Sequence, residues 1–147
     1  MSKDANWQDL PKAEFGFPGP LRNALVEAIL TGRKTATTSL LAQYQLSGEP
    51  IESVGDRSVL VDSHEQPLAI LETTQIKVVS LSSVDLRHAI DEGEGDKTIE
   101  SWRIKHTAFW QCPEMRSKLR DPEFAVDDDT EVVLERFLVV SRIHTNS

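Results

Sequence analysis

The chain has 147 residues, a formal net charge of −8 and a pI near 5.0. That length suits one domain whose core needs neither disulfides nor metal, and a single cysteine, Cys112, excludes a disulfide framework or a Cys-based zinc site within the chain. The acidic balance argues against a broad cationic surface for long nucleic acid. No apolar run reaches the ~18 residues of a membrane span, and the N-terminus lacks the apolar core of a signal peptide, so a cytoplasmic protein is expected.

Residues 1–14 are polar and aperiodic and read as a flexible N-terminal arm, ahead of one domain over 15–147. The run F-G-F-P-G-P, residues 15–20, ends a loop and starts a helix, with Pro20 in the first turn where its missing N–H costs nothing. The periodicity predicts a helix from Pro20 to about Thr31, with Leu21, Leu25 and Ile29 as its apolar stripe. Gly32 stands where a helix C-cap takes a left-handed residue. After it come two cations, Arg33 and Lys34, and then Thr35, Thr37, Thr38 and Ser39.

Ser39 to Tyr44 fits a short helical turn or a strand. Ser58–Asp62 reads as a strand, Ser63–Pro67 as a hairpin connection, and Leu68–Val79 as a long second strand antiparallel to the first. Ser82 with Asp85 resembles a capping box opening a helix over Ser83 to about Asp91. A helix with Ile99, Trp102, His106 and Phe109 on one stripe begins near Asp96–Thr98 and stops at Pro113. Residues 114–130 are polar, and Glu131–Ile143 is strongly β-prone. Helix, strands, helices and strand make an α+β domain with a mostly antiparallel sheet, drawn here as a small barrel with flanking helices.

Lys34 and Thr37 are three apart, a spacing that places ammonium and hydroxyl on one side of a turn. A threonine hydroxyl attacks only after a base removes its proton, and a lysine is that base only when desolvation or a neighbouring cation lowers its pKa. Read alone, Gly-Arg-Lys after a helix is better read as a C-cap with cations at the negative helix end. The loop D-E-G-E-G-D, residues 91–96, is too glycine-rich for a calcium loop, since its third and fifth positions are Gly93 and Gly95. It is a solvated inter-helix loop or one from which Glu92 or Glu94 turns into a cleft. His64, His88 and His144 have no metal-ligand spacing among them. His106 on an apolar stripe reads as a hydrogen-bonded, partly buried histidine. Trp102, Phe109 and Trp110 read as core, with one ring available to stack on a base.

Four pieces in this order carry more than any one alone: F-G-F-P-G-P-L, then G-R-K-T-A-T-T-S-L, then D-E-G-E-G-D-K-T-I-E-S-W with His106 and Phe109 following, then V-V-L-E-R-F. Over about Phe15 to Ile143 the chain resembles the ASCH domain family of the PUA-like superfamily, whose G-x-K-x-x-T signature matches Gly32, Lys34 and Thr37. The resemblance implies a small β-barrel with a cleft at its mouth and binding of RNA or modified nucleosides. It also implies hydrolysis of the N4-acyl amide of cytidine by a lysine, threonine and glutamate set. By position these are Lys34, Thr37 and either Glu94 or Glu92, the flanking glycines favouring Glu94. Arg33, Thr38, Trp102 and Arg103 are the substrate-binding candidates. No cofactor is implied. The alternatives are a ribonuclease cutting single-stranded RNA, with a divalent metal recruited by the carboxylates, and a non-catalytic RNA-binding module.

Overall fold

A computed structural model describes residues 7–144. Residues 1–6 of the expected arm and 145–147 of the expected domain lie outside the described residues. The chain divides into two compact units. One comprises the chain up to Thr35, Glu52–Ile76 and everything from Glu135 on; the other comprises Ala36–Ile51 and Lys77–Leu134.

In the first unit, strand β1 is Lys12–Ala13, helix α1 is Pro20–Leu30 and strand β3 is Arg57–Val61, with β2 falling in the other unit. Strand β4, Pro67–Ser80, begins here, and β5, Glu131–Arg142, ends here. The stripe that α1 buries is the expected one in part, with Ile29 buried and Leu25 partly buried. Leu21 is 41% exposed, whereas Arg22, Val26 and Ile29 are buried. Arg22 earns its place by donating to three backbone carbonyls, those of Phe15 at 3.3 Å, Gly16 at 2.9 Å and Asp62 at 3.4 Å. Val26 and Ile29 pack with Leu60, Ala69, Leu71 and Phe137 in one apolar core, each large side chain contributing about 1.5–3 kcal/mol on burial. The helix ends as expected. Gly32 takes φ 82°, and the Ala28 carbonyl accepts from both Arg33 N, at 2.9 Å, and Lys34 N, at 3.0 Å.

The second unit holds strand β2, Ala36–Leu40, and helices α2, Leu41–Ser47, α3, Leu86–Asp91, α4, Ile99–Trp110, and α5, Pro113–Leu119. The ambiguous stretch around Ser39–Tyr44 is thus both things in turn, strand to Leu40 and helix from Leu41. Helix α3 starts later than expected. Leu81–Ser83 is one 3₁₀ turn, and the cap is Asp85, whose side chain accepts from His88 N at 2.9 Å. Helix α4 is capped by Thr98, which accepts from Ser101 N at 3.1 Å. Pro113 does not merely stop it but opens α5, a helix the sequence reading passed over because Pro is as suited to a first turn as to a break. Met115 and Leu119, at i and i+4, are the buried face of α5.

The strands form one mixed sheet of five, in the order β1-β3-β4-β5-β2. Strand β1 runs parallel to β3, and β3 antiparallel to β4 with Val59 opposite Ile70. The α+β class stands, but the sheet is not closed into the small barrel that was expected. Strands β1 and β2 are its edges, and β1, two residues long, offers too short a ladder to close it. Among the described residues no helix is long and apolar enough to cross a membrane.

Candidate functional site

Strand β2 alternates in burial along Ala36, Thr37, Thr38, Ser39 and Leu40: buried, partly buried, buried, partly buried, buried. Period two therefore sends Thr37 and Thr38 to opposite faces. Thr38 turns inward, toward the residues that α3 and α4 present. Helix α3 carries His88 in its first turn and is followed by Glu92 at its C-cap, one helical turn on. That i,i+4 spacing puts both side chains on one face. Helix α4 brings His106, four residues after Trp102, to the same place.

Glu92 is the centre of this group and is 1% exposed. Thr38 Oγ1 donates to Glu92 Oε2 at 2.5 Å and lies 2.8 Å from His88 Nε2. A hydroxyl has one proton, so with that proton directed to Glu92 the threonine accepts from His88, which places the His88 proton on Nε2. The same nitrogen is 3.2 Å from Glu92 Oε2. The other carboxylate oxygen, Oε1, meets His106 Nε2 at 2.9 Å. A buried carboxylate is costly unless paired and hydrogen-bonded, and Glu92 has such partners at both oxygens.

His106 is held as firmly. Its Nδ1 is 3.0 Å from the Trp102 carbonyl, which only accepts, so Nδ1 carries a proton. Its ring stacks on Trp102, with centroids 4.2 Å apart and planes at 25°, and meets Trp110 edge-on at 5.3 Å. Burial, the largest single influence, works against the imidazolium. The hydrogen bond and charge of Glu92, the charge of Glu94 and the Trp102 carbonyl together outweigh it and raise the His106 pKa above its ordinary value. Glu94 belongs to the same group: one ligand-capable atom from each of Glu92, Glu94 and His106 lies within 4.8 Å of the others. The loop that carries Glu94 is tied back by Lys105, whose Nζ donates to the Glu94 carbonyl at 3.2 Å and pairs with Asp96 Oδ2 at 3.1 Å. Asp96 also accepts from Ser101 Oγ.

The structure thus gathers Thr38, Glu92 and Glu94 from among the residues singled out in the sequence, and adds His88 and His106. Glu92 and Glu94, the two glutamates singled out in the sequence, both belong to this cluster. Thr37 is partly buried on the other face of β2. Lys34, in the first unit, is 2% exposed. Arg33 is exposed and pairs with Glu27 at 2.9 Å, and Arg103 pairs with Asp128 at 3.1 Å. Trp102 is fully buried and one face of its ring is taken by His106, which makes it a support for that imidazole. The signal for His88 was available as the spacing H-A-I-D-E on a predicted helix. Nothing in the sequence ties His106 to Glu92, fourteen positions away by their numbers.

A family model described as ASCH domain matches residues 13–141. Among solved structures, the chain is similar to an ASCH domain from Lactobacillus crispatus JV V101, with 27% identity over 96% of this chain and 87% of that one and a TM-score of 0.78. It is also similar to protein EF3133 from Enterococcus faecalis V583, of family-model DUF984, with 26% identity over 91% and 84% of the two chains and a TM-score of 0.76. A protein from Zymomonas mobilis named ZmASCH shares the fold at 10% identity, covering 83% of this chain and 68% of that one with a TM-score of 0.52. No curated protein matches the sequence.

Proposed function

We propose, this chain being a member of the ASCH domain family, that it acts on RNA or modified nucleosides and hydrolyses the N4-acyl amide of cytidine. The observation that carries the reading is the Thr38 hydroxyl donating to a buried carboxylate, Glu92, which is backed by two histidines. A hydroxyl so placed is a nucleophile with its base already attached.

In the proposed reaction Thr38 Oγ1 attacks the amide carbonyl as Glu92 takes its proton. The proton passes to N4 of cytidine, which leaves as the free amine, and the acyl group remains as an ester on Thr38. Water attacks that ester with Glu92 as base, releasing the carboxylic acid and returning the proton to Thr38. His106, donating to Glu92 Oε1, stabilises the carboxylate between the two steps, and His88 orients the hydroxyl. The sequence resemblance implies Lys34 as a further member of the set and Thr37 as its threonine. The hydrogen bond to Glu92 supports Thr38 instead.

The test is turnover of N4-acetylcytidine by wild type, Lys34→Ala, Thr37→Ala and Thr38→Ala, each checked for folding by circular dichroism. Loss of turnover in Thr38→Ala with retention in Thr37→Ala supports the assignment; the reverse returns the role to Thr37. If wild type releases no acetate but cuts single-stranded RNA, the ribonuclease reading replaces this one. If it does neither but binds RNA with steep salt dependence, it is a binding module.

A further inference from the structure

The contact between His106 and Glu92 carries more than acid–base chemistry. His106 Nδ1 is committed to the Trp102 carbonyl at 3.0 Å, so a neutral ring has its lone pair on Nε2. That lone pair faces a carboxylate oxygen, Glu92 Oε1, at 2.9 Å. In the ion-free protein a proton on Nε2 bridges that contact, and a bound cation would take the proton's place between the same two atoms. A ring N–H donated to a backbone carbonyl is also the support that a metal-ligating histidine ordinarily has, because it fixes the tautomer and aims the other nitrogen. The Trp102 stack fixes the ring plane in addition.

We propose that Glu92, Glu94 and His106 bind a first-row divalent cation, Zn²⁺ or Mn²⁺. Their ligand atoms lie within 4.8 Å of one another. Bonds of about 2.0–2.2 Å around one ion place ligands roughly 3–4 Å apart, so small side-chain adjustments complete the set. Glu92 contributes Oε1, since Oε2 is engaged by Thr38. Glu94 is partly buried and sits between Gly93 and Gly95, at φ 71° and 91°, so its approach to the ion is set by a loop with backbone freedom. One imidazole with two carboxylates suits a borderline cation, whereas Mg²⁺ and Ca²⁺ favour oxygen ligands alone. Three protein ligands leave a position for water or substrate, and an ion there would polarise a carbonyl or phosphoryl oxygen. The inference rests on this cluster and not on the acyl-transfer reading.

The test is calorimetric titration of chelator-treated protein with Zn²⁺, and with Co²⁺ as an absorbing probe. The expected result is one equivalent bound, with a visible Co²⁺ spectrum that Mg²⁺ does not displace. Affinity falls by about tenfold or more in Glu94→Gln and further in His106→Ala. Glu94 is partly exposed, so its variant remains informative even where His106→Ala fails to fold. Thr38→Ala keeps one-to-one ion binding, weakened by at most about 100-fold, which separates failure of this inference from failure of the proposed hydrolysis. Absence of one-to-one binding, or wild-type affinity in Glu94→Gln, overturns it.

Discussion

Arg22 and Glu92 are both almost fully buried, at 3% and 1% exposure, one in each compact unit, and their surroundings differ in kind. Arg22 donates to the carbonyls of Phe15, Gly16 and Asp62, groups that neither gain nor lose a proton, and its one printed carboxylate contact, Glu65 Oε2, is longer, at 3.8 Å. Glu92 is held by Thr38, His88 and His106, all of which exchange protons. A charge held mainly by backbone carbonyls fastens a loop to a helix. A carboxylate that meets a hydroxyl and two imidazoles sits among proton donors, and the Glu92 contact raises the His106 pKa against the opposing effect of burial. Burial of a charge alone does not mark a site; the chemistry of what satisfies it does.

The largest effect that sharpens this contrast is Glu92→Gln. The substitution keeps shape and removes the base, and turnover of N4-acetylcytidine should fall by about 10²–10⁴-fold, with the fold retained by circular dichroism. Equal turnover would reduce the cluster to a structural ion pair. Next is Arg22→Met, which strands three carbonyl acceptors in the first unit. Urea unfolding should show a loss of about 1–3 kcal/mol, with turnover preserved. A loss of turnover in protein that remains folded would break the division of labour between the two charges.

The smallest effect concerns Glu135, also in the first unit. Burial raises its pKa, with the charges of Glu52 and Asp56 adding to the rise and a 2.6 Å hydrogen bond from Thr73 opposing it. A raised carboxylate pKa means the folded state holds the proton more tightly than the unfolded one, so stability declines as pH rises from the ordinary value of 4.5 to the raised value and then levels off. Glu135→Gln removes that decline. Thermal melts should show the variant more stable than wild type at neutral pH and the difference vanishing below pH 4.5. A variant less stable at neutral pH would mean that Glu135 contributes as an anion.

Much of the fold was legible in the sequence. Helix α1, the β3–β4 hairpin, α4 and β5 all follow from periodicity and punctuation, because a long apolar stripe or a β-branched run admits few alternatives. Helix α5 was missed at Pro113, where one residue type serves two opposite purposes. The closed barrel was an inference about which edges meet, a property of distant partners rather than of local pattern. Two glutamates in a glycine-rich loop pointed to the candidate site, but the choice of threonine did not. The run T-A-T-T-S puts hydroxyls on both faces of a strand, and the signal for the inward one was the parity that Thr38 shares with the apolar Ala36 and Leu40, readable only once the stretch is taken as a strand. His106 was hidden for another reason: it joins the group through the placement of α4, which no spacing in the chain encodes.

Asp85 is exposed, yet it determines where α3 begins by accepting from His88 N. An α-helix advances about 100° per residue, so starting a six-residue helix one position early or late would swing His88 and Glu92 a quarter-turn or more away from Thr38. The alignment of the most deeply buried charged side chain among the described residues of the second unit is therefore legislated from its surface. A solvent-facing substitution at Asp85 would pass as innocuous by every measure of burial and still detune the interior.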